Sequence, residues 1–214
     1  ASSMNSIAEA LGMSLTGGAI IPAPYKEREN ISFATGKRIV EMVHENLTPS
    51  KIMTIEAFEN AIFVASAIGA SSNCPPHLTA IARHMGVNLG IENWEKLGHD
   101  IPLLVNCQPA GEHLMEGFFK AGGIPAIMQE LMKNNKLHKN VMTVTGKTVE
   151  KNLNIKIDVD KNIIKSFKDP LVENAGFIVM KSNFFNSAVM KTSVISKEFR
   201  KRYLSNPKNP NIFE

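Results

Sequence analysis

The sequence predicts an α/β architecture: helices packed around a buried sheet, passing late in the chain into a β-rich stretch. Three observations carry this expectation. Several segments before residue 150 place apolar residues at helical spacing. Two short runs rich in leucine and β-branched residues, 101–105 and 141–144, interrupt them and read as buried strands. From about Asn154, Asp and Lys alternate with Ile and Val, and Phe177-Ile178-Val179-Met180 and Ala188-Val189-Met190 read as further strands. This change of character puts a domain boundary near 155–175.

The elements follow in order. Met4, Ile7, Ala8 and Leu11 share one helical face, so a helix opens the chain and runs to about Met13, with Gly17-Gly18 closing the segment. Pro22 and Pro24 make Ala19 to Tyr25 an extended loop. A second helix is expected from Ser32 to Asn46, with Phe33, Ile39, Val40 and Val43 as its apolar face. Thr54 suits the N-cap of a third helix and Glu56 its first turn. Phe58, Ala61, Ile62, Ala65 and Ile68 form its stripe, and Gly69 stops it. Ala70 to Pro75 is a polar loop, and Pro76 fits the first turn of the next helix, where its missing N–H costs nothing. That helix carries His77, Leu78, Ile81, Ala82 and Met85 and ends at Gly86. Gly111 to Lys120 and Ile124 to Lys133 read as helices parted by Gly122-Gly123. The 141–144 strand turns through Thr145-Gly146-Lys147 into a short helix ending at Leu153.

A chain of 214 residues can hold one large domain, or one domain and part of another. With 43% hydrophobic and 21% charged residues it is globular rather than disordered. Its net charge of +4 is spread out, and the basic clusters Lys133 to Lys139 and Arg200 to Arg202 lack interleaved aromatics, which argues against nucleic acid as a partner. Cys74 and Cys107 form no CxxC motif and fit free thiols in a reducing compartment. No apolar run approaches the roughly 20 residues that span a bilayer, so no membrane is expected and the cytoplasm is the expected compartment. A helix beginning at once, and a turn-rich Asn206 to Pro210 leading to a new apolar start, make both ends read as cut from a longer protein.

Four places could carry chemistry. The Ser71-Ser72-Asn73 loop precedes a helix N-terminus, where backbone N–H groups attract anions and the side chains can hold a carboxylate or sugar hydroxyl. The same residues also serve as an ordinary capping loop, and both readings stand. His77 lies one turn into that helix on the loop side. Asn106 and Gln108 follow a buried strand, the end that faces ligands in open α/β sheets. Thr145-Gly146-Lys147-Thr148 contains Gly-Lys-Thr, but the glycine that a phosphate loop needs is replaced by Val141, so a strand-to-helix turn is the better reading. The histidines show no HxxxH or HExxH spacing, so no zinc site is expected. Cys107 has no basic cluster to activate it.

Taken together, Ser3-Met4-Asn5-Ser6-Ile7-Ala8-Glu9-Ala10-Leu11-Gly12-Met13, Gly69-Ala70-Ser71-Ser72-Asn73 with His77-Leu78, Ile101-Pro102-Leu103-Leu104, Gly122-Gly123-Ile124-Pro125 and Thr143-Val144-Thr145-Gly146-Lys147-Thr148 resemble the dihydroxyacid and phosphogluconate dehydratase family. The resemblance covers essentially the whole chain. Ser187 to Ser193 and Asn106 to Glu112 look most like its pentonate branch, the arabinonate and xylonate dehydratases. It implies a hydro-lyase that turns a 2,3-dihydroxy acid into a 2-keto-3-deoxy acid, with a [2Fe-2S] cluster as Lewis acid, Mg²⁺ on the carboxylate and 2-hydroxyl, and a serine alkoxide as base. It also implies residues 1–160 as part of an α/β N-terminal domain, 161–214 as a linker and the start of a swivelling β-barrel, and a homodimer or homotetramer. Neither Cys74 nor Cys107 matches a cluster ligand, and the family's Mg²⁺ ligands, modified lysine and catalytic serine match nothing here. Catalytic and metal residues are therefore expected outside the chain, which is expected to be inactive alone. What carries over is Ser71, Ser72 and Asn73, with His77, on the substrate side; Ala70 and Ser72 depart from the usual Gly-Gly-Ser-Thr-Asn. Two other readings remain: a dihydroxyacid dehydratase of branched-chain amino-acid synthesis, and a non-catalytic scaffold or oligomerisation segment.

Overall fold

The computed structural model describes residues 2–199. Helix α1 (Ser3–Ala10) is shorter than its periodicity suggests. Gly12 ends it, at φ +81 and with the Met142 carbonyl only 3.0 Å from where a Cβ would sit. Next come α2 (Lys26–His44), α3 (Pro49–Ile52), α4 (Ile55–Ala67), α5 (Cys74–His84) and α6 (Glu92–Gly98). After them lie α7 (Met115–Lys120), α8 (Gly123–Lys133) and α9 (Val149–Leu153), then strands β1 (Phe177–Met180) and β2 (Ala188–Lys191), a 3-10 turn and α10 (Lys197–Phe199).

The core is built on α4, which touches α1, α5, α6 and α8. Ala57, Phe58, Ala61, Ile62, Val64, Ala65 and Ala67 are all fully buried there, so the expected stripe widens to most of the helix circumference. Thr54 takes the N-cap position in extended backbone, as its sequence predicts. Polar anchors complete α4. Asn60 donates to the His138 carbonyl at 2.9 Å and accepts from its N–H at 2.7 Å. The His138 ring meets Glu59 at 2.5 Å.

Two expected strands are not strands. Residues 101–105 are buried and extended, but Pro102 has no N–H to give a ladder. Their backbone is satisfied piecemeal: Leu103 donates to Val172 and accepts from Leu171, while Leu104 donates to Ala67 and accepts from Lys165. The result is isolated antiparallel bridges, Leu103 to Val172 and Val105 to Ile164, in place of the buried sheet. Around 141–144 the chain reverses after one bridge, Met142 to Thr148. The one regular sheet among the described residues is the β1–β2 pair, antiparallel with Phe177 opposite Lys191. The fold is thus helix-rich rather than built on a central sheet, and this pair alone is not a barrel.

The stretch 161–194 packs back on the helices. Phe177 meets Trp94 of α6 edge-on at 4.9 Å between ring centroids, both fully buried. Helix α6, like α3, is too short to show a periodic stripe, and the sequence reading missed both. Helix α7 starts at Met115 rather than Gly111 because the Asn106 side chain accepts from the Glu112 N–H, holding the preceding loop folded back. The Arg200 to Arg202 cluster and the turn-rich 206–214 segment lie outside the described residues.

Helix α2 begins earlier than expected, with Glu27 and Glu29 in its first turn, where the helix dipole favours acids. Asn46, in the left-handed region at φ +51, closes it as predicted. Its apolar face, however, points to solvent: Phe33 is 78% and Val43 72% exposed, and Ile39 and Val40 are exposed too. Met42 is the only fully covered residue of the helix. Arg38 ties the helix down by donating to the Val144 carbonyl at 2.6 Å. Phe33→Ser is expected to change the unfolding free energy by less than about 0.5 kcal/mol, against ~3–5 kcal/mol for a core phenylalanine; urea titration checks it.

Glu9 is the core's buried acid. Its carboxylate accepts from the Gly17 N–H at 2.6 Å and the Ala19 N–H at 2.8 Å, pinning the 17–19 turn against α1. Burial pushes its pKa up to about 7, outweighing the downward pull of those two N–H donors. The folded chain therefore holds this proton more tightly than the unfolded chain between about pH 4.5 and 7. Stability contributed by Glu9 should fall as pH rises through that window and level off above it, by roughly 1–3 kcal/mol. Glu9→Gln should remove that slope, while leaving one N–H facing an amide NH₂. Urea unfolding of both proteins at pH 5, 6 and 7.5 reads the difference.

Candidate functional site

The loop between α4 and α5 forms because two helix ends meet there. The Ala70 N–H donates back to the Ala65 carbonyl at 2.8 Å, and the Cys74 N–H donates to Ser71 O at 3.0 Å as α5 begins. Ser71 does double service. Its hydroxyl accepts from the Asn73 N–H at 3.2 Å, and its own N–H donates to the Ser3 hydroxyl of α1 at 3.1 Å. These bonds fold the loop on itself and onto α1, while Asn73, at the N-cap of α5, makes no side-chain cap hydrogen bond. The side chains of Ser72, Asn73 and His77 are exposed.

A cleft of about 170 Å³ opens beside Ser71. Ile68, Val105, Met115 and Phe118 form its apolar wall; Ser3, Ser6, Ser71, Gln108 and Lys191 supply its polar groups. Of the residues discussed from the sequence, the cleft gathers Ser71, Cys107 and Gln108; Ser72, Asn73 and His77 are not in its lining. Asn106 instead braces the loop, accepting from Glu112 and donating to the Asn162 carbonyl at 3.4 Å. Lys191, at the end of β2, was missed. Its Nζ donates to the Gly69 carbonyl at 2.7 Å, a contact across 122 residues of sequence. It lies within Ser187 to Ser193, a segment noted for its family resemblance but not as part of the site.

The electrostatics are simple. Lys191 is half-buried, and burial pulls its pKa below the ordinary lysine value. Burial pushes the Cys74 thiol up to about 11 and Cys107 upward too, so both stay protonated. The Cys107 thiol donates to the Leu114 carbonyl at 3.5 Å. Ser193 Oγ, buried and packed near Gly69, has no hydrogen-bond partner. Cys74 and Cys107 are both buried free thiols. No group of three or more His, Cys, Asp or Glu among the described residues could hold a metal ion.

The Gly-Lys-Thr segment is a structural turn. The Thr143 hydroxyl donates to the Lys147 carbonyl and accepts from Asn152 at 2.8 Å, and Thr148 caps α9 by accepting from the Lys151 N–H. Among the described residues, no helix is long and apolar enough to cross a membrane.

Residues 1–152 match the Dihydroxy-acid/6-phosphogluconate dehydratase N-terminal domain. The chain belongs to that family. It is 50% identical, over its whole length, to 36% of the D-xylonate dehydratase of Caulobacter vibrioides. Over 88% of the chain it is 42% identical to 33% of the L-arabinonate dehydratase of Rhizobium leguminosarum bv. trifolii. Over 92% it is 40% identical to 36% of the dihydroxy-acid dehydratase of Acetivibrio thermocellus. The chain thus spans about a third of the length of these relatives.

Proposed function

We propose that the protein carrying this chain is a hydro-lyase acting on a five-carbon sugar acid, converting the 2,3-dihydroxy acid into the 2-keto-3-deoxy acid and water. In that reaction C2 loses its proton, C3 loses its hydroxyl as water, and the enol left behind takes up a proton at C3 as it becomes the ketone. The observation that supports this reading best is the 50% identity to a D-xylonate dehydratase across the entire chain, against 40% to a dihydroxy-acid dehydratase.

Within this reading the chain's own residues bind rather than react. Ser71 presents a hydroxyl to the cleft and Gln108 an amide, groups suited to sugar hydroxyls. Ser72, Asn73 and His77 stand exposed beside it, able to meet the outer part of a substrate. The Lewis-acid cluster and Mg²⁺ implied by the family resemblance would be held by other parts of the protein, since neither cysteine here matches a ligand. Such a cluster would supply the pull on the departing hydroxyl.

The test is formation of keto acid by the full-length protein from xylonate, arabinonate and 2,3-dihydroxyisovalerate. Preference for a pentonate is the expected result. Preference for dihydroxyisovalerate would move the assignment to branched-chain synthesis, and no turnover of any acid would overturn the reading.

A further inference from the structure

We infer that Lys191 is the carboxylate anchor of the cleft, so that the acid enters it carboxylate first. This rests on the sugar-acid reading above and deepens it. An ammonium has three N–H donors, and Lys191 uses one, on the Gly69 carbonyl. None of the ion pairs among the described residues includes Lys191. The one ionisable neighbour that acts on its charge is Cys74, whose buried thiol stays neutral. A half-buried cation without a counter-charge, in a cleft otherwise lined by hydroxyls, an amide, the neutral Cys107 thiol and apolar carbon, is completed by a small anion bearing hydroxyls.

Size points the same way. At ~30 Å³ per water, about 170 Å³ holds roughly six water-sized groups. That accommodates a carboxylate and the first carbinol carbons, not a whole pentonate. The remainder of the acid would extend out of the cleft.

Lys191 could instead do no more than cap the α4 end through Gly69, and two substitutions in the full-length protein separate these roles. Lys191→Gln keeps an N–H donor for the Gly69 carbonyl and removes the charge; Lys191→Arg keeps the charge. Binding of xylonate and of its uncharged alditol, xylitol, is measured by calorimetry, alongside KM and kcat for xylonate. Lys191→Gln should weaken xylonate binding and raise KM at least tenfold, with kcat within about threefold and xylitol binding unchanged; Lys191→Arg should retain most of the xylonate affinity. Equal weakening of xylonate and xylitol, or an unchanged xylonate affinity in Lys191→Gln, would overturn the assignment. If Lys191→Gln does not fold, Lys191→Arg decides: a tenfold or greater loss for both ligands alike marks a merely structural lysine. Should the wild-type protein dehydrate no acid, the sugar-acid reaction fails on its own, while the charge-selective binding still judges Lys191.

Discussion

Gly176→Ala is expected to produce the largest stability loss of any single methyl addition in this chain. Its Cβ would lie 1.9 Å from the Gly98 carbonyl oxygen and 2.5 Å from the carbonyl carbon. Both are backbone, held in place by the Ile101 N–H that donates to Gly98 O at 3.1 Å. No rotamer relieves such a clash, so β1 must lift off α6. Lifting it also breaks the Thr192 N–H to Gly176 carbonyl bond at 3.0 Å, which anchors the far side of the hairpin. The cost should exceed the ~1–3 kcal/mol usual for overpacking. It should appear as a lower urea midpoint and as loss of hydrogen-exchange protection across 177–192 ahead of global unfolding. Protection in that stretch equal to wild type would contradict the packing described.

Trp94→Ala should come close behind, at ~3–5 kcal/mol for a large buried aromatic. Trp94 is fully buried, and its loss removes the edge-on partner of Phe177 and opens a cavity between α6 and β1. Its indole N–H, though, is buried without an acceptor. Leaving a donor unsatisfied costs ~1–3 kcal/mol. Trp94→Phe, which keeps most of the ring and discards that donor, should therefore be far milder than Trp94→Ala, by at least about 2 kcal/mol. Chemical unfolding of the two variants decides it; equal losses would mean that ring packing is not what Trp94 contributes. Because Trp94 and Gly176 both bear on the α6–β1 contact, combining Trp94→Ala with Gly176→Ala should cost less than the sum.

How much of this could be read from the sequence depends on how local each determinant is. Helices α4, α5 and α8 carry their evidence within themselves: an apolar stripe, Thr54 at one cap, Pro76 and Pro125 in first turns. The β1 and β2 segments were legible from their run of aliphatic residues. The error at 101–105 has a clear origin. Leucine and isoleucine report burial and extension, both correct, but a ladder also needs an unbroken row of N–H groups, which Pro102 interrupts, and a partner, which arrives only at 163–175. Helix α2 misled in the opposite way, since periodicity shows that a face is apolar without showing that anything covers it. The same distinction runs through the site. The Ser71 loop is a contiguous motif and could be found; the cleft exists only when α1, the α4–α5 loop, residues 105–109 and β2 converge, so Lys191 had no local context to mark it.

The threading of residues 101–107 between two later stretches also orders events during synthesis. Val105 pairs with Ile164, and Leu103 with Val172. On a ribosome adding ~5–20 residues per second, those partners emerge several seconds after the residues that need them. Throughout that interval Leu103 and Val105 are made but lack their bridge partners, an apolar edge open to strangers. This part of the interior is sealed by residues made about 60–70 positions later. Nascent chains halted before residue 160 should thus be the species that chaperones hold, and release should coincide with the arrival of the 163–175 stretch rather than with completion of the helices.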